Sequence, residues 1–579
     1  MVVQQTVRRR MGVPSGTGQT ILVLQSGLAA AAILRKDKRF RRLFPLLWRR
    51  EWLDKAIDEV LDNSGSETPG VDGKRGSWLR DSNARALFVR DLQRSLRKCK
   101  GRLRVSPVLR AYVPKASGDQ RPIGIPTIRD RVVQMALKMA LEPIFEADFL
   151  PNSCGFRPGR STLDAVLPVY RYGDSQIRYG WVVEGDIKDC FDNLDHKILM
   201  DRIRRRIADR RILRLIWCFL KAPVVERGKR AIAGTGEGTP QGGVLSPLLA
   251  NIYLNMFDQY WYAVWGKQTR QKLWLARKKG KASCVLFRYA DDFILVAKGD
   301  RSGVECIARR IKKYFRRQMN LELSTEKTRV VPLERGVRFL GFHIRRERLG
   351  HFSCVRIRPT HGNVARLRVK LQYMLGRQAE ADDPAIKITE LNRVLNGWAN
   401  YYAPVNAYRS FSWADYTTRR LIDIWNKHKG KQYKGMLKQE GSRRIFRRGK
   451  TRVELFRMLS LPSQHTSLDL KTCWRYRHKP NPYLTGKYMA CTKEDQPLIN
   501  VRNVHPIDPR YNVEIYLQNR LKRFEVDNWR CVNCGALDDL MTHHVEPVPR
   551  SGVFDPAWVH RVENLRTMCT NCHKTLPRH

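Results

Sequence analysis

The apolar positions of this chain follow two spacings. Short runs mark one of them. Val285-Leu286-Phe287 and Phe293-Ile294-Leu295-Val296 flank the stretch Tyr289-Ala290-Asp291-Asp292. Runs of that length, rich in β-branched and aromatic residues, predict two strands joined by a tight turn. The turn would hold two adjacent carboxylates at the rim of a sheet. Upstream, Trp181-Val182-Val183-Glu184-Gly185-Asp186 predicts a buried strand ending in carboxylates. Tyr112 to Pro126 predicts two extended segments around the turn Ser117-Gly118-Asp119.

The other spacing is helical. Trp52 to Leu61 carries it, and so does Leu248 to Met256, which follows a glycine-rich turn at Gly238 to Pro247. Residues 350–470 carry it as a whole. There Ile388, Leu391, Val394/Leu395, Trp398 and Tyr401/Tyr402 recur at three- and four-residue steps, which describes one helix face. An aromatic stripe of this kind reads as core rather than as an RNA-stacking surface. Asn63 to Gly73 is built from turn formers and fits a linker.

Composition narrows the partner. The 579 residues hold 109 Lys+Arg against 55 Asp+Glu, a net charge of +54. Such an excess calls for a large polyanion, most simply nucleic acid, bound with strong salt dependence. An acidic membrane surface is the alternative, but the best apolar stretch, Ile21 to Leu34, is short and contains Gln25 and Ser26. Arg8-Arg9-Arg10 precedes it and Arg35-Lys36-Asp37-Lys38 follows without a cleavage site. It reads as a helix start, with a targeting peptide as the other possibility. No membrane is expected, and the site of action is cytoplasm or nucleoid, or an organelle. Lys267 to Lys281, with seven Lys/Arg and no acid, reads as a solvated loop that either contacts RNA or DNA or only solubilises. Length alone suggests three or four domains.

Candidate chemistry then sits at a few places. Adjacent like charges repel, so a pair such as Asp291-Asp292 persists most easily where a cation binds it. Taken alone, the tetrapeptide is also an ordinary turn. Asp186 is the strand-end carboxylate, ranked above Asp189 and Asp192. Phe191 would lie just beyond, beside the sugar of a nucleotide or simply in the core. Lys115 and Arg121 stand across a hairpin, a point charge and a fork suited to a triphosphate. Of 13 cysteines, nine are scattered and four form Cys531-x-x-Cys534 and Cys569-x-x-Cys572. Two knuckles supply four thiolates for a tetrahedral Zn²⁺ in a reducing compartment. His543-His544, Asn564 and His573 stand between and beside them.

In chain order, the PK…G…RP hairpin, GFRP, DIK-x-CFD, GTPQGGVLSP, RYADDF, LS-x-EKT and FLGF occupy residues 110–345. This set resembles the reverse transcriptases of group II intron maturases. Leu395 to Tyr402 also looks like the maturase domain of that family. The resemblance implies a multidomain α+β protein, a right-hand polymerase with fingers and palm at 81–345. A basic, largely helical extension at 1–80 would precede it, and a helical thumb/maturase domain at 346–470 would come after it, with Arg443 to Arg452 as a basic run suited to phosphates. It implies a basic DNA-binding linker at 471–525. Asp186, Asp291 and Asp292 would surround Mg²⁺, with Phe191 the gate beside the incoming sugar. Lys115 and Arg121 would hold the triphosphate, Gln241 and Gly242 would lie against the nascent base pair, and Lys327 would donate a proton to pyrophosphate. Cys154 departs from the family by standing where an aromatic is usual, and Asp189 and Cys190 stand where Gly and Phe are commoner. Residues 526–579 look like an HNH endonuclease of the ββα-metal fold with zinc knuckles. That resemblance implies His544 as general base, His543 and His573 as ligands of a divalent ion, and Asn564 as the residue that orients the His544 loop. Implied partners are the protein's own intron RNA, target DNA and dNTPs. The implied activities are RNA-directed DNA synthesis, assistance to splicing, and nicking of DNA to prime reverse transcription.

Overall fold

The computed structural model describes residues 16–114, 120–173, 179–226, 237–239, 242–349, 352–376, 383–430, 436–440, 443–448, 451–461, 481–483, 523, 526–527, 531–534, 540–545, 561–569 and 572. Lys115, Gln241, His573 and nearly all of the expected linker at 471–525 lie outside these residues. The chain divides into two compact units, residues 1–496 and 497–579. No helix among the described residues is long and apolar enough to cross a membrane.

The first unit begins with three helices, α1 (Gly16–Leu34), α2 (Arg50–Leu61) and α3 (Ser82–Cys99). The helical spacing of α2 buries Trp52, Leu53, Ala56, Ile57 and Val60, and the Trp52 indole donates to the Ala136 carbonyl at 2.9 Å. Strands β1 (Val108–Pro114) and β2 (Gln120–Ile125) form the expected antiparallel pair. Next comes α4 (Ile128–Glu146), buried along almost every residue, with Asp130, Arg131, Glu142 and Glu146 among the buried ones. Thr127 caps it, accepting from the Asp130 N–H. The Arg131 guanidinium donates to the carbonyls of Pro126, Gly65 and Thr68. The Asn63–Gly73 stretch is therefore a braced loop rather than the linker its composition suggests. One hydrophobic core runs from Ile21 through to Leu323, so the N-terminal helices pack into the same interior as the central strands and are no separate appendage.

Helix α5 (Thr162–Gly173), strand β3 (Trp181–Asp186), helices α6 (His196–Arg204) and α7 (Arg210–Leu220), strand β4 (Val224–Glu226) and helix α8 (Ser246–Trp261) lead to α9 (Arg270–Lys278). The basic insertion is thus a helix, not the expected loop, and Thr269 caps it by accepting from the Lys272 N–H. Strands β5 (Ser283–Tyr289) and β6 (Asp292–Lys298), helix α10 (Arg301–Gln318) and strand β7 (Arg329–Pro332) come next. The central sheet has the order β5-β6-β3-β7, antiparallel throughout. Its two faces feed two cores. Val183, Leu286, Phe293 and Leu295 enter the first. Val182, Phe287, Ile294 and Val296 enter the second.

Strands β8 (Val337–Phe339), β9 (Phe342–Leu349) and β10 (Phe352–Pro359) form a second antiparallel sheet. Helices α11 (His361–Leu375), α12 (Pro384–Tyr402) and α13 (Tyr408–Trp425) pack beside it. The stripe on α12 is core: Ile388, Leu391, Leu395 and Tyr402 are buried. The helical periodicity does not hold across 350–470, because β11 (Met436–Glu440), β12 (Arg443–Arg448) and β13 (Thr451–Glu454) make a small antiparallel sheet. The basic run of Arg443 to Arg452 lies largely in two of its strands. In the second unit, β14 (Leu540–His544) pairs antiparallel with β15 (Leu565–Cys569).

Asp209 joins the N-terminal segment to this body. Its carboxylate caps α7 at the Arg211 N–H and accepts from the N–H groups of Leu43 and Phe44 at 3.1 and 3.0 Å. Burial alone would raise the carboxyl, but the Phe44 N–H and Arg211 hold it below its ordinary value. A depressed carboxyl stabilises the fold above the unfolded aspartate value of about 3.9 and loses that contribution as pH falls through the folded value. Thermal melts below about pH 4 should therefore show a smaller acid-induced loss in Asp209→Asn than in the parent protein.

Candidate active sites

The Tyr289–Asp292 turn joins β5 to β6, with Tyr289 paired to Asp292 and Asp292 paired across to Asp186 on β3. Three carboxylates thus meet at one end of the central sheet. Ala290 turns the chain with φ 55°, a left-handed conformation that costs a non-glycine residue about 1 kcal/mol. What holds it lies underneath. Arg288 is fully buried, and its guanidinium meets the Asp258 carboxylate on α8 through Nε at 2.9 Å and Nη2 at 2.5 Å. Its Nη1 donates to the Ala290 carbonyl at 2.8 Å and to Asn251, and Nη2 also donates to Ser153. The segment 152–155 closes the underside, with the Cys154 N–H donating to the Arg288 carbonyl. A Cβ at Gly155 would collide with the Ala290 backbone nitrogen, so only glycine fits there.

The LS-x-EKT segment lies on the other side. Ile187 bridges to Leu323, the Lys188 N–H donates to the Glu322 carbonyl, and the Ser324 N–H donates to the Asp186 carbonyl. This backbone lacing brings Lys327 Nζ to 2.9 Å from Asp186 Oδ2. The hydrogen bond to Asp186 raises the Lys327 ammonium above its usual range. Burial, followed by the charges of Asp291 and Asp186, pushes the Asp292 carboxyl up to about 7. Asp291 is also raised, first by burial and then by Asp186, with Arg121 among the charges opposing the shift. Arg121, on β2, is therefore within electrostatic reach of the cluster. Partly buried carboxylates crowded so closely that burial and mutual repulsion favour the neutral form make a donor set that fits divalent cations.

Phe191 is half-buried against the first core, and its ring meets Phe156 edge-on at 6.2 Å. Phe156 is 48% exposed and has φ 56°. Asp189 has φ 42°, which explains physically why glycine is the commoner residue at that position. Cys190 is buried beside the carboxylates, its thiol pushed up by burial and by Asp291. Cys154 is also buried, filling the place where an aromatic is usual. Sequence reasoning missed Arg288, Asp258 and Phe156. The available signal was a lone arginine inside an otherwise apolar strand, which must find a buried partner.

The second unit gathers another set. The thiols of Cys531, Cys534 and Cys572 lie within 4.8 Å of one another, close enough to ligate one ion. For Cys569 and His544 the structure describes the backbone alone. The Val532 N–H donates to the Thr567 carbonyl, tying the first knuckle to β15. His543 and His544 end β14, where His544 pairs with Leu565. The carbonyl of Asn564, a buried residue, accepts from the Val545 N–H next to His544.

Comparison with known proteins matches residues 113–344 to the family described as reverse transcriptase (RNA-dependent DNA polymerase) and residues 364–444 to the group II intron, maturase-specific domain. Group II intron-encoded protein LtrA of Lactococcus lactis subsp. cremoris is 30% identical over 469 residues, covering 68% of this chain and 76% of LtrA. The chain belongs to the group II intron-encoded proteins. Protein YkfC of Escherichia coli (strain K12) is 38% identical over 360 residues, 58% of this chain and 92% of that protein. Nuclear intron maturase 1, mitochondrial, of Arabidopsis thaliana is 25% identical over 304 residues, 40% of this chain and 41% of the relative. As a group II intron-encoded protein, the chain is an RNA-directed DNA polymerase with a maturase domain. The carboxylate cluster lies within the first of the two matched regions.

Breaking one side of a buried ion pair leaves the other charge uncompensated, at a cost of about 3–5 kcal/mol. Arg288→Met should accordingly lower the thermal midpoint by several degrees and abolish DNA synthesis, although it removes no carboxylate. Calorimetry and primer extension on the purified variant check both.

Proposed function

We propose that Asp186, Asp291 and Asp292 are the metal ligands and catalytic carboxylates of DNA synthesis on an RNA template. The observation that carries this reading is the cross-strand pairing of Asp186 with Asp292, with Lys327 and Arg121 beside them. Mg²⁺ held there would stabilise charge on the attacking 3′-hydroxyl oxygen and on the leaving phosphate. The residues do the rest. Arg121, together with Lys115, holds the triphosphate of the incoming dNTP, and Phe191 faces its sugar. Gln241 and Gly242 lie against the new base pair, and Lys327 supplies positive charge and a proton towards the pyrophosphate. In domain terms, residues 81–345 are the fingers and palm and 346–470 the thumb/maturase domain. The +54 net charge supports binding of the protein's own intron RNA, whose splicing it assists.

The C-terminal unit is read as an HNH endonuclease. Cys531, Cys534, Cys569 and Cys572 would hold a structural Zn²⁺, supported by the clustered thiols. His544 serves as general base toward water, and His543 with His573 would hold a divalent ion at the scissile phosphate. Asn564 orients the His544 loop, supported by its backbone bond to Val545. The nick in target DNA then primes copying of the intron, which makes the protein an agent of intron mobility.

Three variants test the reading. Asp291→Ala with Asp292→Ala should reduce Mg²⁺-dependent dNTP incorporation on a primed RNA template at least a thousandfold while RNA affinity survives; synthesis retained near the parent rate would remove the carboxylates from catalysis. His544→Ala should stop nicking of target DNA by the ribonucleoprotein and leave cDNA synthesis and splicing intact. A variant that still nicks would place the base elsewhere. Cys531→Ser should release the bound zinc, measured by elemental analysis of the purified protein, and an unchanged metal content would refute the four-thiolate site.

A further inference from the structure

Residues 237–239 are laced to residues 191–196 by a compact set of bonds. The Thr239 N–H donates to the Phe191 carbonyl at 2.7 Å, and the Gly238 N–H donates to the Leu194 carbonyl at 2.9 Å. Asp195 and Glu237 form a single antiparallel bridge. The remaining link comes from a side chain. His196, 1% exposed at the start of α6, places Nε2 at 2.6 Å from the Gly238 carbonyl oxygen. A carbonyl only accepts, so Nε2 carries the proton and the neutral ring leaves Nδ1 bare. Among the described residues, Nδ1 has no hydrogen-bond partner. The ring sits edge-on to Trp217 at 5.9 Å. A buried imidazole that leaves one nitrogen unsatisfied pays for the other nitrogen's position.

Gly242, at φ 116°, lies against β2, where a Cβ would stand 2.5 Å from the Gly124 carbonyl oxygen and 2.8 Å from Ile123 Cγ2. Arg121 is on that same strand. Gly238 and Thr239 thus meet the loop of Phe191, Gly242 meets the strand of Arg121, and His196 fixes the Gly238 carbonyl.

We propose that His196 is a positioning residue for nucleotide selection, holding Gly238 so that Phe191 and β2 keep a fixed spacing around the incoming sugar and triphosphate. It touches none of the three carboxylates, so it acts on binding and sugar discrimination rather than on the chemical step. This inference rests on the reading of Phe191 as the residue facing the sugar.

The test is single-nucleotide extension of a primed RNA template by the full-length protein, with dNTP and ribonucleotide titrated separately. His196→Ala should raise the KM for dNTP roughly tenfold and weaken the preference for dNTP over ribonucleotide, with kcat within about twofold of the parent. His196→Gln, whose amide Nε2 also donates, should restore both. Phe191→Ala, run alongside, separates the two readings. If it leaves sugar preference unchanged, the sugar assignment falls and the inference with it. If it weakens the preference while His196→Ala changes neither KM nor preference, or lowers kcat alone, the tether is refuted. Should His196→Ala fail to fold, His196→Gln decides: parental KM supports the proposal, and a raised KM with parental melting overturns it.

Discussion

The ion pair of Arg288 with Asp258 is the interaction on which the carboxylate cluster rests. Both side chains are fully buried, where an unpaired charge is far more costly than at the surface. The pair therefore cannot be loosened piecemeal. The guanidinium directs its remaining donors to the Ala290 carbonyl, Asn251 and Ser153, so one planar group joins β5, α8 and the 152–155 segment. The left-handed turn above it survives because these bonds over-determine it. Lysine could match the charge but not the fork, since its point-like ammonium lacks the planar set of five donors.

Crowding three carboxylates at a sheet end has an electrostatic cost that the protein meets with local means. Burial and the charges of Asp291 and Asp186 push the Asp292 carboxyl up, and Lys327 donates to Asp186. Lys327 answers this excess of negative charge by pairing with one of the carboxylates. The backbone around the cluster is strained in parallel: Phe156, Asp189 and Ala290 all have positive φ. Folding rather than turnover bears the cost of shaping the site, which is the usual meaning of preorganisation.

Legibility in the sequence followed the strength of each local signal. The β5–β6 hairpin and β3 were readable as short unbroken apolar runs, and the α12 stripe because its apolar residues recur at three- and four-residue steps. The α9 helix was not, since an acid-free run of lysine and arginine reads as solvated chain, and the Thr269 cap is too local to outweigh it. The β11–β13 sheet hid for a related reason: its arginines mask a short buried pair, Ile445 and Phe446. Among site residues, Asp186, Asp291 and Asp292 announced themselves by chemistry. Arg288 did not, because its role is a long-range contact with Asp258, thirty positions away, which no periodicity encodes.

The two faces of the central sheet carry a consequence for the carboxylates themselves. Along β6, Phe293, Leu295 and Ala297 enter one core while Ile294 and Val296 enter the other. A slip of one residue against β3 would send each of these side chains to the wrong core at once and move Asp292 out of line with Asp186. The two cores thus act as a ruler. The distance between the Asp186 and Asp292 carboxylates is measured by the oil on either side of the sheet that carries them.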